Sequence, residues 1–287
     1  MSSLRIIRRR INSIKTTQQI TKAMKMVSAV KFRRAQERVI AARPYAYRMA
    51  EVISRLAKRT NPEAHPLLTR RAREKALLIV ITADKGLCGS FNSNAIKRTM
   101  ALLEEDQVQF SLITLGKKGT GYFKKRNVVI KREYIDLFRS FSYKDAAAIG
   151  REVKEAYIQG EVDEVIMVYN EFVSAMQQRL TTKTLLPLAL PSLGEGEGGE
   201  FIEYIYEPSA SQVLEALLNR YVEVQIFHAL LESAASEHGA RMTAMDAATE
   251  NASEMIDRLT LLLNKARQAA ITKELIEVVS GADALKG

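Results

Sequence analysis

Glycine is nearly absent from both ends of this chain. Residues 1–85 contain none and residues 209–280 contain only Gly239, whereas eleven of the fourteen glycines fall between Gly86 and Gly199. Glycine weakens a helix by about 1 kcal/mol relative to alanine, so the two ends favour long helices and the centre favours turns. This layout predicts two terminal helices with a domain inserted between them.

Cysteine and long apolar runs are also scarce. Cys88 is the one cysteine, which excludes an internal disulfide and a Cys-rich zinc site. There is no run of about 20 apolar residues, so no membrane-spanning helix is predicted. The apolar fraction of 47% is that of a globular protein. The Arg-rich N-terminus is also typical of a transit peptide, but the same pattern continues to about Arg59, which favours mature structure.

Acidic residues are rare in the first sixty positions, where sixteen Lys and Arg face only Glu37 and Glu51. Residues 61–208 are balanced in charge, and residues 209–287 hold seven bases and eleven acids. Opposite charge on the two terminal segments favours their pairing. The positive excess of the first segment remains available for other partners.

The first segment is predicted to be one helix from residue 3 to residue 59. Apolar residues recur there at spacings of three and four, and the polar residues Gln18 and Thr21 occupy the same stripe. Such polar residues weaken a dry seam but can fix its register. We expect Pro44 to kink or break the helix near Arg43. The apolar residues of the stripe are Leu4, Ile7, Ile11, Ile14, Met24 and Val27.

The last segment is predicted to be a longer helix from residue 209 to residue 280, ending at Ser280-Gly281. Alternating three- and four-residue steps give it an alanine-rich heptad seam, which favours a left-handed coiled coil. The seam consists of Met245, Ala248, Ala252, Met255, Leu259, Leu262, Ala266 and Ala269.

The centre alternates buried strands with amphipathic helices, which predicts an open, largely parallel α/β sheet. Residues 179–186 alternate in polarity and are rich in Thr, as in an antiparallel edge strand. The other predicted strands are 76–82, 110–115, 128–130 and 164–169, and the predicted helices are 92–105 and 143–159. The fold class is therefore α/β, with a shaft helix at 1–60, a central domain at 74–207 and a second shaft helix at 208–287.

An α/β nucleotide-binding enzyme is one alternative, because the turn from Asp84 to Gly89 follows a strand, where such folds often bind ligands. The turn lacks the dinucleotide fingerprint, and residues 116–120 lack the Lys-Ser/Thr of a phosphate loop. His228 and His238 are ten residues apart, which does not place them on one helix face. The sequence therefore predicts no catalytic, cofactor-binding or metal-binding residue.

A basic coiled-coil protein that binds nucleic acid is the other alternative. Residues 8–10 and 33–34 are arginines that could follow phosphates. However, the cations occur at all helical angles, as on a solvated face, and no aromatic residue before Phe32 offers a stacking platform. Salt-dependent retention on DNA would identify this class of protein, and ATP binding by the isolated chain would identify the enzyme.

Long motifs at both ends and in the centre resemble the gamma subunit of rotary F-type ATP synthases. Residues 20–27, ITKAMKMV, are similar to its N-terminal signature. Residues 83–89, ADKGLCG, with Phe91-Asn92 are similar to its central strand-turn motif. Residues 237–251, EHGARMTAMDAATEN, and 264–281, NKARQAAITKELIEVVSG, are similar to its C-terminal signature. The resemblance covers the whole chain in the expected order.

The resemblance implies a rotor. In that family the terminal helices form an antiparallel coiled coil inside a ring of alternating alpha and beta subunits, and the globular domain lies beside epsilon and a membrane ring of c subunits. Proton flow turns the ring and the shaft, whose asymmetry drives the beta sites through different affinities. The subunit is not catalytic and needs no cofactor. A bacterial subunit at the cytoplasmic face of the plasma membrane is implied, since no mitochondrial presequence is evident.

The resemblance also implies which residues contact partners. The implied contacts are Arg267, Gln268 and Thr272 for the beta catch loops, with Met24 and Lys25 on the opposing helix, and Tyr204 and Glu207 for the c ring. Chloroplast relatives carry a two-cysteine redox insertion, and the single Cys88 excludes that switch here.

Overall fold

The computed structural model describes residues 2–57, 65–105, 108–175, 177–189, 207 and 209–284. The first and last elements along the chain are the long helices α1 (Ser2–Ala57) and α5 (Ala210–Ala284). The elements between them are β1 (Lys75–Ile81), α2 (Phe91–Glu105), β2 (Gln109–Leu115), α3 (Lys117–Phe123), β3 (Val129–Tyr134), a 3₁₀ turn (Leu137–Arg139), α4 (Tyr143–Ile158), β4 (Glu164–Phe172) and β5 (Gln178–Leu186).

The five strands form one sheet in the order β3-β2-β1-β4-β5. β1 pairs in parallel with β2 and β4, and β2 pairs in parallel with β3. β5 is an edge strand and runs antiparallel to β4. The predicted α/β class is confirmed, as is the antiparallel edge strand.

Helices cover both faces of the sheet, which is why β1 is buried along nearly its whole length. Alternate residues of a strand point to opposite faces. Leu77 and Ile79 therefore join a cluster with residues of α1, α4 and α5, whereas Leu78 and Val80 join a second cluster with α2 and α3. The largest fully buried side chain is that of Tyr157 on α4, whose hydroxyl donates to the carbonyl of Thr69 at 2.6 Å.

The contacts divide the chain into two compact units, Ala29–Arg241 and the pair of segments Met1–Ser28 and Met242–Gly287. These units do not follow the predicted segments 1–60, 74–207 and 208–287, which were drawn from secondary structure and stay a prediction. In the unit made of two segments, the helices are antiparallel. The hydroxyls of Thr21 and Thr249 are 2.8 Å apart, and Lys25 donates to Asp246.

The seam of this two-segment unit departs from the predicted one beyond Thr21 and beyond Ala252. On α1, Val27 is 56% exposed and Ser28 is buried in its place. On α5, Met255 and Leu262 are both 50% exposed, and the less exposed positions are Ile256 and Leu263. At both steps on α5 two adjacent residues are apolar, so the alternation of three and four fits either of them, whereas on α1 the buried residue is the polar Ser28. The packing selects the one that faces α1.

The break considered at Pro44 does not occur, and the predicted end at Ser280-Gly281 is wrong. Pro44 lies inside α1, which continues to Ala57, close to the end of the helix predicted over residues 3–59. Buried residues follow the proline on the same helix, including Ile53 and Leu56, and their packing outweighs the local cost of about 3 kcal/mol. Gly281 lies inside α5, which reaches Ala284, because one glycine weakens a helix without ending it.

Candidate functional site

The carboxyl end of the sheet, where open α/β folds usually bind ligands, is occupied by α5. The guanidinium of Arg241 donates to the carbonyl oxygens of Lys85 at 3.3 Å and Gly86 at 3.2 Å, in the loop after β1. A Cβ added to Gly239 would lie 3.1 Å from the carbonyl oxygen of Ala175, in the loop after β4. The helix therefore fills the crevice that a nucleotide would need.

A buried ion pair within α5 accompanies these bonds of Arg241 to the loop after β1. Arg241 and Glu237 are 2.7 Å apart, and their side chains are only 10% and 7% exposed. Burial raises the pKa of Glu237, and the nearby guanidinium of Arg241 opposes that rise. Burial, together with the nearby cations Arg241 and Lys31, lowers the pKa of His238 to about 4. Glu237, His238 and Arg241 lie within one and a half turns of α5, in the first part of the C-terminal motif.

The polar residues of the turn after β1 serve the fold. The carboxylate of Asp84 accepts hydrogen bonds from the backbone N–H groups of Lys117 and Asp136, each at 3.0 Å. Asn92 accepts from the N–H of Ala83 at 2.8 Å and donates to the sulfur of Cys88 at 3.1 Å. Burial raises the pKa of the Cys88 thiol. The hydrogen bonds of Asp84 and Asn92 therefore tie these loops together.

Gly116, which ends β2, is required by close packing. Its φ is +100°, and an added Cβ would lie 2.0 Å from the carbonyl oxygen of Thr82. The segment that follows is the helix α3, so the phosphate-loop resemblance of residues 116–120 reflects a strand-to-helix turn. Among the described residues, no group of three or more His, Cys, Asp or Glu is placed to hold a metal ion.

A polar groove lies between the two helices of the two-segment unit. Its volume is about 430 Å³. The groove lies beside the stretch where the polar residues Gln18 and Thr21 occupy the seam, and Thr21 itself is buried. It is lined by Gln18, Gln19, Lys22, Lys25, Met26, Asp246 and Thr249.

The end of α5 is the second open surface. The pairs Thr21–Thr249 and Lys25–Asp246 set the register of the two helices, and continuing it by four-residue steps places Ser2 opposite about residue 268. Residues 271–281 are all exposed. Five of them are large and apolar, with exposed fractions between 50% and 69%: Ile271, Leu275, Ile276, Val278 and Val279.

The predicted contact residues lie on these two surfaces where the structure describes them. Arg267, Gln268 and Thr272 are exposed on α5, and no hydrogen bond or ion pair to them occurs within the described part of the chain. Lys25 lines the groove and Met24 beside it is half-buried. Glu207 is exposed, and Tyr204 lies outside the described residues. Their roles as partner contacts stay a prediction.

The sequence reasoning did not single out two groove residues. Asp246 pairs with Lys25, and Thr249 bonds to Thr21 while its hydroxyl also donates to the carbonyl of Met245 at 2.7 Å. Both lie in the motif at 237–251. Charge complementarity between a basic α1 and an acidic α5 was the signal that could have identified the Lys25–Asp246 pair.

The fold and these surfaces define a class of protein: a scaffold with paired long helices, whose open surfaces are suited to partner proteins. The family model described as "ATP synthase" matches residues 3–285. The chain is 52% identical to an ATP synthase gamma chain of Pelotomaculum thermopropionicum over 286 residues, and 51% identical to that of Geobacter metallireducens over 290 residues. Each comparison covers all of both chains.

Solved structures agree with this result. A chain from the central stalk and c ring of the Tetrahymena thermophila mitochondrial ATP synthase is 28% identical, with a TM-score of 0.61 over 80% of this chain and 99% of that one. A chain from the Euglena gracilis mitochondrial ATP synthase is 21% identical, with a TM-score of 0.68 over 99% and 95%, and it supports the fold alone. The chain belongs to the gamma chain family of ATP synthases.

The family resemblance seen in the sequence is thus confirmed. Membership displaces both alternatives, the nucleic-acid-binding coiled coil and the nucleotide-binding enzyme. Within the part of the chain that the structure describes, no helix combines the length and the apolar character needed to cross a membrane.

Proposed function

We propose that this chain is the central rotor shaft of a bacterial ATP synthase. Proton-driven rotation of a membrane c ring would turn it, and its asymmetric surface would change the affinities of the catalytic sites in the surrounding alpha–beta ring. The observation that carries this proposal is the end of α5, where a row of apolar side chains is not covered by any of the residues that the structure describes. Contiguous exposed apolar surface of this kind marks a protein interface.

The positive charge of α1 supports a role for the groove, too, as a contact surface for partner proteins. Residues 1–60 hold sixteen basic residues against two acids, and Lys22 and Lys25 face the groove. A basic surface attracts acidic loops and raises the rate of encounter with them. The catch loops of beta would contact Arg267, Gln268 and Thr272, with Met24 and Lys25 on the opposing helix.

The other partners would be epsilon, the alpha subunits and the c ring, with one copy of this chain in each complex. Glu207, and Tyr204 in the same segment of sequence, would face the ring. The subunit itself would be non-catalytic and bind no cofactor. α5 fills the usual ligand crevice, which supports that assignment. The complex would hold it at the cytoplasmic face of the bacterial plasma membrane as a peripheral protein.

The test is co-expression of this chain with alpha and beta subunits from its own source, followed by size-exclusion chromatography and an ATPase assay. We expect the chain to elute with three copies each of alpha and beta, and ATP hydrolysis to depend on it. If the chain elutes alone and the alpha–beta mixture hydrolyses ATP equally well without it, the rotor proposal is wrong.

A second test addresses the ring contact. Glu207→Lys is expected to weaken attachment of the complex to membranes that contain the c ring, while ATP hydrolysis by the detached complex stays normal. Glu215→Lys, which alters an exposed acid of α5, is the matched control. Equal effects of the two variants would remove the assignment of Glu207 to the ring contact.

A further inference from the structure

A small cavity with aromatic walls opens between α1, α4 and α5 in the unit Ala29–Arg241. Its volume is about 170 Å³. Tyr45, Ala46 and Ala42 line it from α1, Tyr143 lines it from α4, and the other lining residues belong to α5. The α5 residues that matter here are Arg220, Phe227 and His228. No part of the rotor proposal uses this cavity.

The walls favour a flat ring. The rings of Tyr143 and Phe227 meet edge to face, with centroids 5.8 Å apart and planes at 78°. Opposite them Ala46 carries only a methyl group, so the space between the helices is left open. Aromatic rings prefer edge-to-face and offset stacked neighbours, and a planar guest would complete such a group.

The electrostatics favour an anion. Arg220 lies over the ring of Tyr143, with its Cζ 5.2 Å from the centroid, and the neighbouring Tyr45 raises the pKa of its guanidinium. The nearest carboxylate, Glu223, already pairs with Lys154 at 2.9 Å and accepts from the hydroxyl of Tyr143 at 2.7 Å. The charges of Glu223 and Lys154 compensate each other. The positive charge of Arg220 at the mouth of the cavity is therefore not neutralised by this pair.

His228 adds a polar wall without adding charge. Burial lowers its pKa, and the nearby cations Lys183 and Arg43 lower it further against the opposing effect of Glu232. Its imidazole is therefore neutral at pH 7. The cavity as a whole carries one positive charge beside an apolar, aromatic interior.

We propose that this cavity binds a small aromatic carboxylate, with the ring between Tyr143, Phe227 and Ala46 and the carboxylate on Arg220 and the Tyr45 hydroxyl. The volume lies below the roughly 300–1,000 Å³ of pockets for drug-sized ligands, which limits the guest to a single ring. A nucleotide is too large, and a cation would be repelled by Arg220.

Such a ligand would stabilise the junction of three helices. It contacts residues of α1, α4 and α5 together, so it binds only when all three are docked and stabilises that state by mass action. A single-ring ligand has few atoms to contribute binding energy, so a dissociation constant on the order of 1 mM is expected.

Titration calorimetry of the full chain with sodium benzoate tests the proposal, at constant ionic strength and concentrations up to about 20 mM. Benzamide has the same ring without the charge, and acetate has the charge without the ring. Saturable binding of benzoate is expected, and the other two compounds should bind at least about tenfold more weakly. Absence of saturable benzoate binding, or equal binding of all three compounds, overturns the proposal.

Two variants locate the site. Arg220→Gln removes the charge of an exposed side chain and should weaken benzoate binding about tenfold while leaving benzamide unchanged. Ala46→Phe fills the cavity and should abolish binding of both. Arg151→Gln removes an exposed cation of α4 outside the cavity and should change nothing. If Arg220→Gln binds benzoate as the wild type does, the assigned site is wrong, whatever Ala46→Phe does to folding.

Discussion

One helix, α5, contains two stretches with opposite surroundings. Between Leu214 and Arg241 most residues are buried or half-buried, whereas between residues 253 and 281 most are exposed. Both stretches are rich in apolar residues, so composition does not separate them. The difference teaches that the first stretch serves the core of the unit Ala29–Arg241, and that the second keeps its apolar side chains for partners.

The sharpest contrast is between two Glu–Arg pairs at the same i,i+4 spacing on this helix. Glu237–Arg241 is almost fully buried, and Glu254–Arg258 is more than two-thirds exposed. Arg241→Ala would leave Glu237 unpaired in the interior and remove the bonds to the loop after β1, for a loss of about 3–5 kcal/mol in the free energy of unfolding. Arg258→Ala should change it by less than about 0.5 kcal/mol.

Urea unfolding of the isolated chain, followed by circular dichroism, measures both variants. A loss of less than about 1 kcal/mol for Arg241→Ala would mean that Arg241 does not anchor α5 on the loop after β1. An equal loss for both variants would erase the contrast between the two stretches.

The second contrast concerns two adjacent leucines of the exposed stretch. Leu263 is half-buried on the seam and Leu262 is 50% exposed beside it. Leu263→Asp should destabilise the pairing of residues 1–28 with 242–287 by about 1–3 kcal/mol, because it places a charge in an apolar contact. Leu262→Asp should cost less than half as much.

Amide hydrogen exchange along residues 4–21 reads the effect locally. The expected result is loss of protection in Leu263→Asp and near-normal protection in Leu262→Asp. The reverse order would support the heptad phase predicted from sequence over the observed one.

Much of the fold was predictable because it rests on local patterns. The glycine-poor ends, the buried strands and the Thr-rich edge strand each depend on residues close together in sequence. Local patterns left open whether Pro44 would kink or break α1, since the outcome depends on how Ile53 and Leu56 pack against residues distant in sequence. The occupation of the sheet's carboxyl end by Arg241 also depends on residues some 155 positions apart.

The candidate surfaces, too, were predictable from sequence only in part. The motifs located the helix positions of Arg267 and Lys25, but the partner of Lys25 required the register of two helices. That register depends on which of two neighbouring apolar residues, such as Leu262 and Leu263, faces the other helix. The heptad spacing in the sequence fits either of them.

The third contrast is in pH dependence. Burial lowers the pKa of His238 to about 4 in the folded chain, against about 6.5 when unfolded. Its contribution to stability is complete above pH 6.5 and is lost as the pH falls toward 4, because the unfolded chain then takes up a proton that the folded chain does not. The pKa of Glu237 is raised in the folded chain. Its protonation at the acidic end of this window therefore favours the folded state, which opposes the effect of His238.

His238→Gln isolates the effect, because the variant keeps Glu237, Arg241 and Lys31. The stability of the wild type should fall relative to that of the variant by up to roughly 1–3 kcal/mol between pH 6.5 and pH 4. Parallel stability curves over this range would contradict the assigned shift.

The smallest expected effect on the isolated chain belongs to the end of α5. Arg267→Ala with Gln268→Ala removes two exposed side chains that have no bond within the described residues, so the unfolding free energy should stay within about 0.5 kcal/mol of the wild type. In the complex with alpha and beta, the same variant should lower ATPase activity or assembly. The exposed pair Glu254→Ala with Arg258→Ala is the control, and it should leave both stability and activity unchanged. Full activity of the first variant would remove the catch-loop role, and a loss of stability in the isolated chain would show that these side chains serve the fold.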